Sequence, residues 1–429
     1  MSAPLGDPAM EGLRTDQAPP LSIPASFFLI APLSMIAAGA LLAAHGPAVI
    51  ATRWSAQAMA VTHLGTLGFL GAIMLGALYQ MIPVVAGAPV PLVRLAHAVH
   101  AVFTLGVAAL TIGLLTGWVP ALIASPLLLS AALSAFLVPV AIALARAPTR
   151  SDTVTGMRLA ALGLAALGVL GVFLALGRAG RFAVPGAFLG WLSAHAALGG
   201  LTWIGGLIVA VSWQVVPMFY LAPPPPRWSR KAALITVALA LVGALGGALA
   251  GQGPEVIGLL AAPAAIVIWL VHPIVTALSI HRRKRRRVDG SVRFWWAGLA
   301  SAPLALPLAA GALWGTHPRW SVALGFTVVW GWAGLIAHGM LSRIVPFLVW
   351  FHRYAALVGR VPVPSMRGLL PDGRIRAGLA VHAAAVLVGE LALLTGWAPL
   401  AHATGALLAA TGVVLAVNLV HTLRQRPAS

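Results

Sequence analysis

Long apolar stretches separated by short polar or charged segments recur along this chain of 429 residues. Each stretch reaches about 20 residues, the length that an α-helix needs to cross a bilayer. Backbone groups inside a bilayer must form hydrogen bonds within their own segment, so these stretches are predicted to be helices. The pattern predicts an all-α polytopic membrane protein with twelve spans, near residues 25–46, 54–86, 93–116, 119–145, 156–177, 186–220, 231–250, 255–280, 293–314, 320–351, 376–396 and 399–422.

Composition agrees with this prediction and limits the kinds of metal or redox site that the chain can form. Hydrophobic residues make up 60% of the chain and charged residues only 8%. The chain has no cysteine, which excludes disulfides, thiolate metal sites, iron–sulfur clusters and haem attached through cysteine. Any redox or metal chemistry must therefore use His, Met, Tyr or carboxylates. The N-terminal segment 1–24 lacks the pattern of a signal peptide, and we expect a disordered cytoplasmic tail there.

The net charge of +19 is distributed as in a membrane protein. The cations lie between the spans and not on one domain, so nucleic acid is not an expected partner, whereas the lipid bilayer is. If the N-terminus is cytoplasmic, 22 of the 27 Lys and Arg face the cytoplasm, including those of HRRKRRR at 281–287. The positive-inside rule then predicts that both termini are cytoplasmic, in a membrane of the bacterial inner type.

Three of the predicted spans end in similar motifs. Spans two, six and ten end in YQMIP at 79–83, WQVVP at 213–217 and SRIVP at 342–346, so that the three prolines are nearly evenly spaced. Further prolines mark short outer turns at a similar interval: LLTGWVP ends at Pro120, GQGP ends at Pro254 and LLTGWAP ends at Pro399. Such spacing predicts three four-helix repeats in one membrane domain, 25–155, 156–292 and 293–429.

Histidines lie on all three of these equivalent spans. A helix rises about 1.5 Å per residue, so depth can be counted back from each proline. His63 lies twenty positions before its proline and His195 lies twenty-two positions before its own, which places both at nearly one height toward the outer side. His338 lies only eight positions before Pro346 and is therefore much deeper. We expect His63 and His195 to share a site that His338 does not join directly.

Neutral imidazole can bind haem iron or copper and can be buried without the cost of a fixed charge. Two histidines on facing helices can hold a non-covalent, b-type haem or a metal ion inside a helix bundle. His63 and His195 are therefore candidate metal ligands, and His338 is a candidate cofactor contact. The alternative is that each ring only forms a hydrogen bond to a neighbouring helix.

Two charged residues inside the spans are further candidates. Glu390 is the only carboxylate well inside a span, which suggests a proton site or a counter-ion, with a hydrogen bond between helices as the alternative. Arg343 takes the place of Gln80 and Gln214 in the repeated motif. Its side chain is expected to reach the interface or, if it faces the axis, to bind a haem propionate or another anion. The remaining histidines near the predicted inner boundary are interpreted as interfacial anchors: His97, His100, His272, His382 and His421.

The arrangement of twelve helices in three repeats, with histidines on the second, sixth and tenth, resembles the catalytic subunit of haem–copper oxidases and nitric oxide reductases. The segment His63-Leu-Gly-Thr-Leu-Gly-Phe, followed by Pro83, looks more like the NnrS family of haem- and copper-containing membrane proteins. The segment HGMLSR at 338–343 is similar to a Gly-Met-x-x-Arg segment late in that family. This resemblance implies a haem or copper ligand at His63 and a cofactor contact at Arg343.

The sequence also departs from these families. Val61 stands where the NnrS helix has a second histidine, and Phe326 stands where a late histidine is expected. The oxidases' adjacent histidine pair and His-x-His motif are absent, so complete oxidase activity is not expected. The leading interpretation is a haem- or copper-binding inner-membrane protein linked to nitric oxide or respiratory metabolism, with partners in those pathways. The alternative is a proton-coupled transporter of a small solute or metal.

Overall fold

A computed structural model describes residues 15–284 and 289–427, and it confirms the predicted fold class. The described residues are helical apart from short connections and contain no strand. Within them, twelve helices are long and apolar enough to cross a membrane, and their ends differ from the predicted ones by a few positions. They are α1 (Ser22–Ala51), α2 (Ala56–Ala86), α3 (Val93–Thr116), α4 (Val119–Arg146), α5 (Asp152–Arg178), α6 (Phe188–Tyr220), α7 (Arg227–Leu249), α8 (Pro254–His281), α9 (Gly290–Trp314), α10 (Arg319–Arg353), α11 (Asp372–Thr395) and α12 (Ala398–Arg424).

Two predictions concern residues that the structure describes only in part. Residues 1–14 of the expected tail 1–24 and residues 285–287 of the basic segment 281–287 lie outside the described residues. The described part of the tail is not irregular throughout, because Thr15–Gln17 form a turn of 3-10 helix and α1 already begins at Ser22, where apolar residues start. The side of the membrane on which α2, α6 and α10 begin is called the outer side below, following the charge pattern.

Helices α2, α6 and α10 form the interior of the bundle. In their most apolar windows, 83%, 61% and 67% of the residues are buried, against 22% to 50% in the other nine helices. The nine peripheral helices expose many large apolar side chains, as a surface that contacts lipid requires. The equivalent spans that end in the three proline motifs are therefore the central ones.

Each central helix contains a π-helical segment: Leu64–Gly71 in α2, Leu198–Gly205 in α6 and Thr327–Gly334 in α10. Each segment begins nineteen positions before the proline of its motif. The three segments contact one another pairwise. Because π-helical turns are rare and are frequent at functional sites, one local geometry at one register supports the predicted repeat. The superposition of whole four-helix units stays a prediction.

The outer turns between paired helices also share one geometry. Gly117, Gly251 and Gly396 each lie three positions before the marker proline, with φ of 69°, 69° and 70°. Glycine reaches this left-handed region without the steric cost that a side chain brings. In the two LLTGW turns the backbone N–H of the tryptophan donates to the threonine hydroxyl of the same motif, at 3.1 Å in the first and 3.2 Å in the second.

The first and last spans pack closely through glycines. A Cβ added at Gly39 of α1 would collide with the backbone of Ala409, and one at Gly405 of α12 would collide with the backbone of Ala43. Small residues let two membrane helices approach closely, so that dispersion contacts hold them together in the absence of a hydrophobic driving force. This contact makes the N-terminal and C-terminal helices neighbours.

Candidate functional site

His63 occupies the point where α2 changes from α-helical to π-helical geometry. Its Nδ1 lies 2.8 Å from the carbonyl oxygen of Met59, one turn earlier. A carbonyl oxygen can only accept a hydrogen bond, so Nδ1 carries the proton and Nε2 keeps its lone pair. Histidines that bind metals commonly have their second nitrogen fixed in this way by a backbone carbonyl. The helix therefore holds His63 in a tautomer that can bind a metal through Nε2.

His195 lies near the corresponding position of α6, two residues earlier when the helices are aligned on their motif prolines. Each of the two histidines comes seven positions after the start of its helix. Their ring centres are 6.5 Å apart and the ring planes are inclined by 32°. The Nδ1 atom of His195 is buried and has no hydrogen-bond partner among the described residues. The structure thus brings together the two histidines that the sequence places at one height.

The rings of His63 and His195 are close enough that both could hold one metal ion if a nitrogen of each ring faced it, since a metal–nitrogen bond is about 2.0–2.1 Å long. The distance between the ring centres is 6.5 Å. It is too short for another side chain to lie between the rings, because contacts on both sides would need about 7–8 Å.

A glycine lets His195 pack closely against a neighbouring helix. A Cβ at Gly171 of α5 would lie 3.3 Å from Cε1 of His195, so a larger residue there would press on the ring. Among the described residues, no group of three or more His, Cys, Asp or Glu side chains could hold a metal ion. A cofactor at this place would therefore have two protein ligands, His63 and His195.

His338 is bonded to a histidine that the sequence analysis placed at the interface. The Nδ1 atoms of His338 and His382 are 3.2 Å apart, and both side chains are fully buried. His382 lies near the middle of α11, several turns from either end of that span. The interpretation of His382 as an interfacial anchor is therefore wrong. His338 lies apart from the outer pair, as expected, but its partner is His382 and not Arg343.

Arg343 contacts groups on the inner side. Its Nη1 lies 3.6 Å from Oδ2 of Asp289, its guanidinium carbon lies 5.5 Å from the centre of the Phe219 ring, and its Nη2 donates to the Phe219 carbonyl oxygen at 3.4 Å. His63 and His195 lie near the outer ends of their helices, so Arg343 does not reach their site. The anion that Arg343 meets is the Asp289 carboxylate, which also accepts a hydrogen bond from Ser291 at 2.7 Å.

Glu390 joins α11 to the beginning of a π-helical segment. The Thr327 hydroxyl, at the first position of the segment in α10, donates to Oε1 of Glu390 at 2.6 Å. The alternative of a hydrogen bond between helices is thus present in the structure, on the outer half of the bundle. A carboxyl group that accepts one such bond retains a second oxygen for a proton.

His272 is a further buried polar residue that the sequence reasoning placed at the interface. It directly follows the π-helical segment Val267–Val271, and its Nε2 lies 2.9 Å from the Ser212 hydroxyl. The available signal was its position well inside span eight, beyond the reach of an anchor. Other predicted anchors have polar contacts near the inner ends of their helices, such as His97 with Ser22 at 3.4 Å and His421 with Gln425 at 3.3 Å.

A comparison of the chain with models of known protein families gave no match, and a comparison with curated proteins gave none. The geometry of the two histidine pairs therefore carries the functional argument.

Proposed function

We propose that this chain binds a redox-active cofactor, a non-covalent haem or a copper ion, between His63 and His195. The observation that carries the proposal is the separation of the two rings, which lie 6.5 Å apart on neighbouring central helices. A buried nitrogen without a hydrogen-bond partner costs free energy, and a shared metal offers a partner to the pair. The tautomer of His63 already leaves Nε2 free for this bond.

The surrounding residues have defined tasks in this proposal. The Met59 carbonyl holds the His63 ring in one orientation. Leu64 and Leu198, the first residues of two π-helical segments, are buried near the histidines and contribute to an apolar environment that excludes water. A haem or a copper ion would supply one-electron chemistry when bound.

The proposed class is NnrS-like and oxidase-like, linked to nitric oxide or respiratory metabolism. Two observations support this class: the segment that begins at His63 resembles the NnrS family, and the His63 ring lies beside the ring of His195 with Nε2 free. The third equivalent helix has Phe326 at the position of His63, so the three central helices supply two histidines at this height and not a larger set. This favours a sensor, a carrier or a protective factor over a complete oxidase.

A transporter is the competing function, and Glu390 is its main support. A cavity of about 70 Å³ opens on the outer side among α1, α2, α10, α11 and α12. Since one water molecule needs about 10–15 Å³ of such space, this cavity accommodates a few waters or one very small molecule. The π-helical segments of the three central helices also contact one another. The small volume of the cavity would limit transport to a very small solute, which favours the cofactor proposal.

The proposed location is a membrane of the bacterial inner type with both termini in the cytoplasm. The positive-inside rule is its support. Reporter fusions at residue 285 and at the C-terminus should both give a cytoplasmic signal. An external signal from either fusion would overturn this orientation.

The cofactor proposal is tested on the purified full-length protein by its visible spectrum and its copper content. We expect either a Soret band or about one copper per chain, lost in His63→Ala and in His195→Ala, because each variant removes one of two ligands. The matched control is His402→Ala. His402 also lies on the outer side, but its Nδ1 bonds the Ala43 carbonyl oxygen at 2.6 Å.

The control should keep the cofactor, since His402 has a structural bond and no ligand role. A wild-type protein that is colourless and free of metal after expression with haem and copper would contradict the proposal and favour a transporter. Equal loss of cofactor in all three variants would mean that the histidines act through general stability.

A further inference from the structure

Polar groups are aligned along the third repeat. On the outer side Thr327 binds Glu390, at mid-membrane His338 binds His382, and on the inner side Arg343 meets Asp289. Asp289 accepts a hydrogen bond from Ser291, whose hydroxyl accepts another from Tyr220 at 3.1 Å. The groups lie on or beside α10 and α11, and together they extend from the outer half of the bundle to its inner side.

The first two repeats have apolar residues at the corresponding positions. Aligned on the motif prolines, the positions of His338 are Leu75 and Val209 in the other repeats, and those of Thr327 are Leu64 and Leu198. Aligned on the turn prolines, the positions of His382 are Phe103 and Val237. All six of these apolar residues are buried. The fold therefore accepts apolar side chains at these places, and the histidines are not required to build it.

Burial of His338 and His382 also lowers the stability of the bundle. The Nε2 atoms of His338 and His382 are both buried and have no partner of good hydrogen-bond geometry among the described residues, and the backbone of Trp330 is the one polar group that interacts with the His382 ring besides His338. Apolar side chains, as in the other repeats, would avoid this cost. Polar groups that a membrane interior retains at such cost are commonly part of proton pathways or ion sites.

We propose that His338 and His382 form a proton-transfer site at the middle of the membrane, between Glu390 on the outer side and Asp289 on the inner side. This inference does not rest on the proposed cofactor at His63 and His195.

The geometry of the pair permits a balanced transfer. At rest one ring has its proton on Nδ1 and donates it to the Nδ1 of the other ring, whose own proton is on Nε2. A proton that binds the free Nε2 of the first ring makes it an imidazolium. The Nδ1 proton then crosses to the second ring, over the 3.2 Å between the nitrogens, and the second ring releases its Nε2 proton. One proton enters, one leaves, and the two tautomers have exchanged.

The pair is surrounded by uncharged groups. The ring of Phe294 in α9 lies 4.5 Å from the ring of His338. Next to Nε2 of His338 is Gly378 of α11, where a Cβ would lie 3.1 Å from this nitrogen and 3.7 Å from Val414 of α12. This apolar cover favours the neutral pair at rest, so a proton would reside there only during transfer.

Charged and titratable groups lie further along the same two helices. Glu390 is eight positions from His382, a rise of about 12 Å, and Arg343 is five positions from His338, a rise of about 7.5 Å. Val386 lies between His382 and Glu390 on α11 and packs against Gly331 of α10. Water molecules would have to pass this valine, so we expect Val386 to control the rate of proton movement.

The test uses the full-length protein in liposomes that contain a pH-sensitive dye, with proton entry driven by a potassium diffusion potential. We expect the wild type to acidify the lumen faster than protein-free liposomes. The double variant His338→Leu/His382→Phe installs the residues that the first repeat has at these positions, and its proton flux should fall to that of protein-free liposomes. Glu390→Gln should reduce the flux as well.

The control is His402→Ala, which removes a partly buried histidine contact outside this group of polar residues and should keep the flux. A wild-type flux equal to that of empty liposomes would overturn the proposal, whatever the variants do. So would an unchanged flux in the His338→Leu/His382→Phe variant. Loss of folding in that variant is detected by size-exclusion chromatography, and Glu390→Gln then decides. Cofactor content measured on the same samples keeps failure of the cofactor proposal distinguishable from failure of this one.

Discussion

The two histidine pairs differ in how their rings meet. His63 and His195 have ring centres 6.5 Å apart, too far for a hydrogen bond between their nitrogens. His338 and His382 have Nδ1 atoms 3.2 Å apart and form such a bond. Under the two proposals, this difference in spacing separates a pair that could share a metal ion from a pair that can exchange a proton directly.

The surroundings of the two histidine pairs also differ. His63 and His195 connect two central helices, α2 and α6, at the starts of their π-helical segments. His338 and His382 connect a central helix, α10, to a peripheral one, α11, and the ring of Phe294 covers His338. Close apolar cover suits a neutral hydrogen-bonded pair.

The largest expected effect on stability is at the ion pair of Arg343 and Asp289, on the inner side of the bundle. The side chains of Arg343 and Asp289 are only 13% and 14% exposed. Asp289→Ala leaves a largely buried cation without this partner and removes the hydrogen bond that Asp289 accepts from the Val292 N–H. The free energy of unfolding should fall by about 2–3 kcal/mol, measured by denaturant unfolding in mixed micelles.

The control for this prediction is Arg376→Ala, which removes the exposed partner of Asp372. Its effect should stay below about 0.5 kcal/mol, because exposed ion pairs contribute little. Equal effects of the two substitutions would show that the Arg343–Asp289 pair is not a buried interaction.

A smaller effect is expected at the pair of His338 and His382. His338→Leu leaves the Nδ1 of His382 without a partner and should cost about 1–3 kcal/mol. Adding His382→Phe removes the orphaned ring and should recover part of that loss. The double-mutant cycle then gives a coupling free energy of about 1 kcal/mol or more. Additive effects would mean that the two rings do not interact.

The smallest effect is expected at the outer pair without cofactor. His63→Leu and His195→Leu should be additive within about 0.3–0.5 kcal/mol in apo protein, since the rings form no bond with each other. In protein loaded with haem or copper, the same double-mutant cycle should show clear coupling. Either substitution alone disrupts the single site that both histidines form, so the second substitution adds little. Strong coupling in the apo protein would remove the distinction between the two pairs.

The sequence was sufficient for the fold because each span repeats the same strong signal. A run of apolar residues must be helical in lipid, and the motif prolines mark the three central helices in the sequence itself. The turn glycines Gly117 and Gly396 were implied by the repeated LLTGW motif, and their matching φ angles follow from that local sequence. The π-helical segments were not predicted, because no composition rule separates them from α-helix within apolar runs.

The functional residues were only partly accessible from the sequence. Counting along a helix gave the common height of His63 and His195, since depth depends on the rise per residue alone. The bond between His338 and His382 depends instead on the rotation of α11 against α10, which spacing along one chain does not determine. For Arg343 the sequence offered an interfacial position or, as the alternative, an anion. Asp289 lies before the start of α9, far from Arg343 along the chain, so only the tertiary contact identifies this anion.

The most direct test of the central claim is X-ray absorption at the iron or copper edge of the purified, cofactor-loaded protein. The account predicts two imidazole nitrogens at about 2.0–2.1 Å from the metal. It predicts one imidazole fewer in both His63→Ala and His195→Ala, with no change in the His338→Leu/His382→Phe variant. A metal environment without imidazole, or one that changes only when His338 and His382 are replaced, would contradict the assignment of the outer pair as the cofactor site.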